Sequence, residues 1–172
     1  MKNMQKNENG EEKKMAIRKI VTLGNDTLRK KSKPVVAFDE SLGALLDDMK
    51  ATMIEKQGVG ISAVQVGVLR RAIVIELDEG EYLEVINPEI VKTKGKVCDK
   101  EGCLSVPGFY TDVERPRYVK ITAFDRHGKK FEFEAEDYLA RCVCHEIDHL
   151  NGVLFVDLTD EGKRYKKEHG VQ

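Results

Sequence analysis

The sequence lacks a charge excess of either sign. Lys and Arg total 29 against 30 Asp and Glu, a net charge of −1, whereas a general nucleic-acid binder shows a strong basic surplus. Long apolar runs are also missing, and nothing approaches the roughly 20 residues that cross a bilayer. The first 14 residues, MKNMQKNENGEEKK, contain no apolar stretch and no Arg. They read neither as a secretory signal nor as an organelle transit peptide, but as a disordered tail or an expression extension. Met15 is a more natural start, because apolar patterning begins just after it. Cysteine is scarce, with Cys98, Cys103, Cys142 and Cys144. With no export signal these make a poor disulfide framework, and a cytoplasmic location is expected. Cys98 and Cys144 are expected to be small buried hydrophobes.

What is present suits one globular domain over residues 15–172. The chain has 172 residues, 41% hydrophobic and 34% charged, enough to bury roughly 70% of its unfolded surface. Residues 17–36 read as an irregular lead-in, with Asn25 or Asp26 capping a short turn and Pro34 forbidding a helix. From Asp39 to Lys56, Leu42, Leu45, Leu46, Met49 and Met53 fall at helical spacing. Asp39 or Ser41 suits the cap and Gly58 the exit. A glycine-rich loop follows, Gly58 to Gly67. Strands are expected at Arg71–Leu77 and Tyr82–Ile86, joined by a Glu79-Gly80 turn. Asn87-Pro88 is expected to break the second, with Ile90–Thr93 resuming it. Tyr118–Phe124 and Lys130–Glu134 alternate with period two around a DRHGK hairpin loop. A second helix is expected at Glu136–Asn151, stopped by Gly152. A basic helix from Thr159 is weakened by Gly162, and its run Lys163, Arg164, Lys166 and Lys167 reads as a solvated face. Strands in the middle and a long helix after them favour an α+β fold, with antiparallel or mixed sheets packed around that second helix.

That helix carries His145-Glu146-Ile147-Asp148-His149, an H-E-x-x-H pattern. Residues four apart share a helix face, so both imidazoles can approach one cation. Glu146 is then placed to hydrogen-bond a water at the same cation. Two histidines do not complete a hydrolytic site, which takes three protein ligands and leaves one position open. No third His follows closely. Cys103, in Glu101-Gly102-Cys103-Leu104-Ser105, is the better candidate for the third ligand, although spacing alone also permits a buried structural role. Glu101 is expected either to pair with an Arg that holds this loop or to be solvated. Asp148 is expected either to orient a neighbour or to be structural.

Three stretches together resemble peptide deformylase: Gly58-Val59-Gly60-Ile61-Ser62-Ala63-Val64-Gln65, EGCLS at 101–105, and HEIDH at 145–149. They occur in that family's order and at similar separations. The lead-in LGNDTLRKKSKPV and the continuation HLNGVLF are similar too, so the resemblance spans about Ile17 to Leu158. Two departures stand out. Ser62 replaces the usual Ala, a small change, and Cys144 replaces a Gln that commonly precedes the first His, which removes an outer hydrogen bond.

The resemblance implies removal of formate from the N-formylmethionine of new polypeptides. Cys103, His145 and His149 would hold a divalent metal, usually Fe(II), with zinc, nickel or cobalt able to occupy such a site. Glu146 would be the general base, and Gln65 (side-chain amide) and Leu104 (backbone N–H) the oxyanion donors. Gly60 would pair with an extended substrate, while Val59 and Cys142 would line the methionine pocket. The partners implied are formylated nascent peptides and, through the terminal helix, the ribosome, with neither direct nucleic-acid binding nor a membrane. Two alternatives remain open at this point. One is a metallopeptidase, and the other is a non-catalytic metal or peptide binder.

Overall fold

The computed structural model describes residues 4–6, 12–78 and 80–171. Two long helices pack on the sheet: α1 runs Glu40–Glu55, and α2, which carries the HEIDH motif, runs Asp137–Leu150. A third helix, α3, spans Asp160–Glu168. The strands are β1 (Met4–Lys6), β2 (Glu12–Lys14), β3 (Gly60–Ser62), β4 (Ala72–Asp78), β5 (Glu81–Lys94), β6 (Val97–Cys103), β7 (Val106–Arg115), β8 (Tyr118–Phe124) and β9 (Lys130–Glu136).

A five-stranded sheet in the order β3-β4-β5-β8-β9 is antiparallel throughout. Side chains alternate across it, so its two faces bury different sets. Ile73, Ile75, Val85, Val119 and Ile121 pack with α2 residues such as Val143 and Ile147. Ala72, Val74 and Ile86 pack with α1 through Leu42, Leu46, Met49 and Met53. The β6–β7 hairpin forms a separate two-stranded sheet, tied through Val106 and Val113 to Leu28, Leu154 and Phe155. This is the α+β architecture expected, with α2 buried along most of its length. Among the described residues, no helix is long and apolar enough to cross a membrane.

Local chemistry explains the element ends. Asp39 Oδ1 accepts from Leu42 N and caps α1, and Asn25 caps a single 3-10 turn at Asp26–Arg29. Gly152, at φ +76°, ends the motif helix where a Cβ would meet Arg29 O at 2.4 Å. Gly162 is tolerated in α3 because the helix sits directly on Val156, whose carbonyl oxygen would be 2.4 Å from a Cβ.

Several expectations require correction. Asn87-Pro88 does not break the second strand, because β5 continues to Lys94 through register shifts, with Asn87 at φ +51°. The left-handed residue after α1 is Gln57, not Gly58. The glycine-rich loop holds a short strand, β3, and a 3-10 turn at Ala63–Val66. Cys98 is exposed, because a two-stranded hairpin leaves one face of β6 uncovered. Cys144 is buried as expected. In the segment expected to be a tail, β1 and β2 pair with each other, while residues 1–3 and 7–11 lie outside the described residues, as does Glu79 of the expected turn.

Candidate functional site

Three elements bring the chemistry together. β3 and the 3-10 turn after it supply Gly60 and Gln65, the end of β6 and the turn into β7 supply Cys103 and Leu104, and α2 supplies Cys142, His145, Glu146 and His149. They converge on a cavity of about 860 Å³, whose walls include Val59, Gly60, Gln65, Leu104, Cys142 and Glu146. Such a volume is in the usual range for small-ligand clefts.

At its floor, Cys103 Sγ lies 3.2 Å from His149 Nε2, and His149 Nε2 lies 3.2 Å from His145 Nε2. All three donor atoms fall within 4.8 Å of one another. A tetrahedral ion with bonds of about 2.0–2.3 Å sets its donors about 3.3–3.8 Å apart, close to the separations here, so this donor set fits a divalent metal. Its surroundings fit as well. Ser105 N and Gln65 Nε2 both point donors at Cys103 Sγ, at 3.4 and 3.6 Å. His145 Nδ1 hydrogen-bonds Glu101 Oε2 at 2.9 Å, which leaves Nε2 with its lone pair toward the cluster. Burial alone would lower the His145 pKa, yet contact with Cys103 and Glu101 raises it well above the ordinary value. His149 moves the other way, held well below the ordinary value by burial and by the neighbouring His145.

Glu101 is buried and would be raised by desolvation. Hydrogen bonds from His145 and Arg115 outweigh that and bring it down to about 2. Arg115 Nε and Nη2 donate to its two oxygens at 2.8 and 3.0 Å, and Arg141 Nη1 donates to Oε1 at 2.9 Å. Of the two readings of Glu101, the geometry supports the ion pair with arginine.

Glu146 is also buried, and burial pushes its carboxyl up to about 7. Its Oε2 has no hydrogen-bond partner, so one carboxylate oxygen is left for a water or substrate group. Gln65 is oriented by Ser62, whose N and Oγ donate to Oε1 at 2.9 and 3.1 Å. That turns the amide nitrogen toward Ser105 Oγ and Cys103 Sγ. The Ser62 hydroxyl thus adds a bond that holds Gln65. Burial pushes the Cys144 thiol up to about 11, consistent with an inert packing residue.

Val59, Gly60, Gln65, Cys103, Leu104, Cys142, His145 and Glu146 line this cleft and His149 lies against its floor, whereas Cys98, Cys144 and Asp148 are not part of its lining. Arg115 and Arg141 were not identified in the sequence. For Arg141 a signal existed, since it lies four residues before His145 on one helix face. For Arg115 there was none, because its partner is 14 residues away across a hairpin.

Comparison with known proteins agrees with this geometry. Residues 17–165 match the Polypeptide deformylase family. The peptide deformylase of Caldicellulosiruptor bescii is 57% identical over 143 residues, covering 83% of this chain and 86% of that protein. The crystal structure of a peptide deformylase from Legionella pneumophila superposes with a TM-score of 0.83 at 45% identity, covering 91% of this chain and 99% of that one. A peptide deformylase from Synechococcus elongatus, crystallised in complex with actinonin, gives 0.83 at 39% identity over 93% and 91% of the two chains. With its sequence matched over most of its length and its fold shared, this chain belongs to the polypeptide deformylase family.

Proposed function

We propose that this protein hydrolyses the formamide of N-formylmethionyl peptides, releasing formate and a free amino terminus. The observation that carries this reading is the convergence of Cys103 Sγ, His145 Nε2 and His149 Nε2 beneath a cleft that also holds Glu146 and Gln65. Cys103, His145 and His149 would hold a divalent ion. When bound, it supplies Lewis acidity that lowers the pKa of an attacking water and polarises the formyl carbonyl.

The chain's own groups do the rest. Glu146 takes a proton from the attacking water and returns it to the departing amine as the formyl C–N bond breaks. A carboxyl near 7 suits both directions of that transfer at neutral pH. Gln65 Nε2 and the Leu104 backbone N–H donate to the oxygen on which charge develops. The main chain of Gly60, on the edge strand β3, pairs with an extended peptide. Val59 and Cys142 line the apolar wall for the methionine side chain.

Fe(II) is the cellular ion in this reading, with zinc, nickel or cobalt acceptable to the same thiolate and imidazole donors. An iron-loaded sample should lose activity in air and a nickel-loaded one should keep it. Equal air stability would count against iron beside a thiolate. The substrates are nascent chains, which places the protein in the cytoplasm. A ribosome contact would use the basic residues of α3, where Lys166 pairs with Asp157 and Lys163 lies 3.5 Å from Asp160.

Formate release from formyl-Met-Ala-Ser tests the reading. Glu146→Ala should retain its metal and lose turnover by about 100-fold or more. Internal cleavage of unformylated peptides without formate would indicate a peptidase instead. Capture of formylated peptide with no turnover would indicate a binder.

A further inference from the structure

Arg115, at the end of β7, shares its guanidinium between two carboxylates. Nε and Nη2 grip both oxygens of Glu101, and Nη1 donates to Asp148 Oδ2. Asp148 lies within the HEIDH helix, three residues after His145 and next to His149. It is 28% exposed, whereas Arg115 and Glu101 are nearly inaccessible. The result is a chain of contacts, Asp148 to Arg115 to Glu101 to His145 Nδ1. It starts at the protein surface and ends on a candidate ligand. Arg141 also reaches Glu101, but its Nη1 and Nη2 donate in addition to the carbonyls of Val113 and Val97 rather than to a second carboxylate.

The shape of arginine matters here. Its planar fork can present two parallel N–H bonds to one carboxylate and a third donor to another, which an ammonium group cannot do with fixed orientation. Glu101 oriented this way accepts the Nδ1 proton of His145 and keeps Nε2 aimed at Cys103 and His149. Outer partners of metal-bound histidines set both tautomer and ring orientation.

We propose that Arg115 is a positioning residue for the metal site: by bridging Asp148 to Glu101 it holds Glu101 against His145 and keeps the His145 ring aimed into the donor triad. This rests on the reading of Cys103, His145 and His149 as ligands. Arg115 touches neither the metal nor the substrate, and its effect passes through Glu101.

The test is competition for Zn(II) between the full chain and a chromophoric chelator. It is read beside the visible absorption of the Co(II)-loaded protein and thermal unfolding of the metal-free protein. Arg115→Lys should weaken Zn(II) binding by about 10–100-fold and alter the Co(II) spectrum, although the positive charge is kept. Asp148→Asn, at a partly exposed position, should weaken Zn(II) binding by about 10-fold. In a Glu101→Gln background, Asp148→Asn should cost nothing further, because the route through Glu101 is already cut.

Wild-type Zn(II) affinity in Arg115→Lys and Asp148→Asn would overturn the inference. So would an undiminished Asp148→Asn effect in the Glu101→Gln background, which is the signature of direct charge acting through space. Either result, with formate still released by the wild type, leaves the deformylase reading standing. A wild-type chain that binds no Zn(II) would overturn both.

Discussion

Gly60 and Glu146 are packed so closely that a Cβ on Gly60 would lie 2.9 Å from Glu146 Oε1. The same Cβ would lie 2.8 Å from Cys142 Sγ. Glycine is required here by proximity: the main chain of β3 is laid directly against the proposed base. Gly60→Ala should push Glu146 aside and lower kcat for formate release by about 100-fold, since small displacements at a reacting centre cost that much. Zinc stoichiometry measured on the same sample should be unchanged. Wild-type turnover in this variant would mean that Glu146 is not held by β3.

Gln65 is anchored at its oxygen by Ser62 and presents its nitrogen to the cleft. Gln65→Ala should lower kcat by about 100-fold or more, as expected for loss of an oxyanion donor. Ser62→Ala removes one of two bonds to Oε1 and should cost about 1 kcal/mol of stability, with a small effect on turnover. Steady-state kinetics and urea unfolding on both variants separate the two roles. Equal kinetic losses would mean that Gln65 acts only as part of the loop.

Asp157 ties the lead-in to the terminal helix. Burial would raise its carboxyl, but hydrogen bonds from Arg29 and Lys166, and from Leu154 N, hold it below the ordinary value. A folded-state pKa below the unfolded one contributes stability that is present above about pH 4 and lost as pH falls through the folded value. Asp157→Asn should lower the unfolding free energy by about 1–2 kcal/mol at pH 7. It should also show a shallower loss of stability in acid than the wild type. Parallel pH curves for the two proteins would contradict this assignment.

The sequence carried the site better than it carried the sheet. His145, Glu146 and His149 are legible because helical spacing alone puts them on one face, and α2 realises that spacing. Cys103 is 46 residues from His149, so its convergence follows from topology and was readable only through the family resemblance. The β6–β7 hairpin is not legible as strands, because its Asp, Lys and Glu residues hide a period-two pattern on a weakly buried ribbon. β5 continues past Asn87-Pro88 because Asn87 Oδ1 accepts from Val35 N and Nδ2 donates to Val35 O. That long-range pairing stabilises a left-handed residue which local rules assign to a turn. The exposure of Cys98 is illegible for a related reason, since sequence does not tell which face of a ribbon is covered.

X-ray absorption at the metal edge of an anaerobically prepared, formate-releasing sample tests the central claim most directly. The account predicts one sulfur and two imidazole nitrogens around the ion, with the sulfur lost in Cys103→Ala. A shell without sulfur in a fully active sample would contradict it.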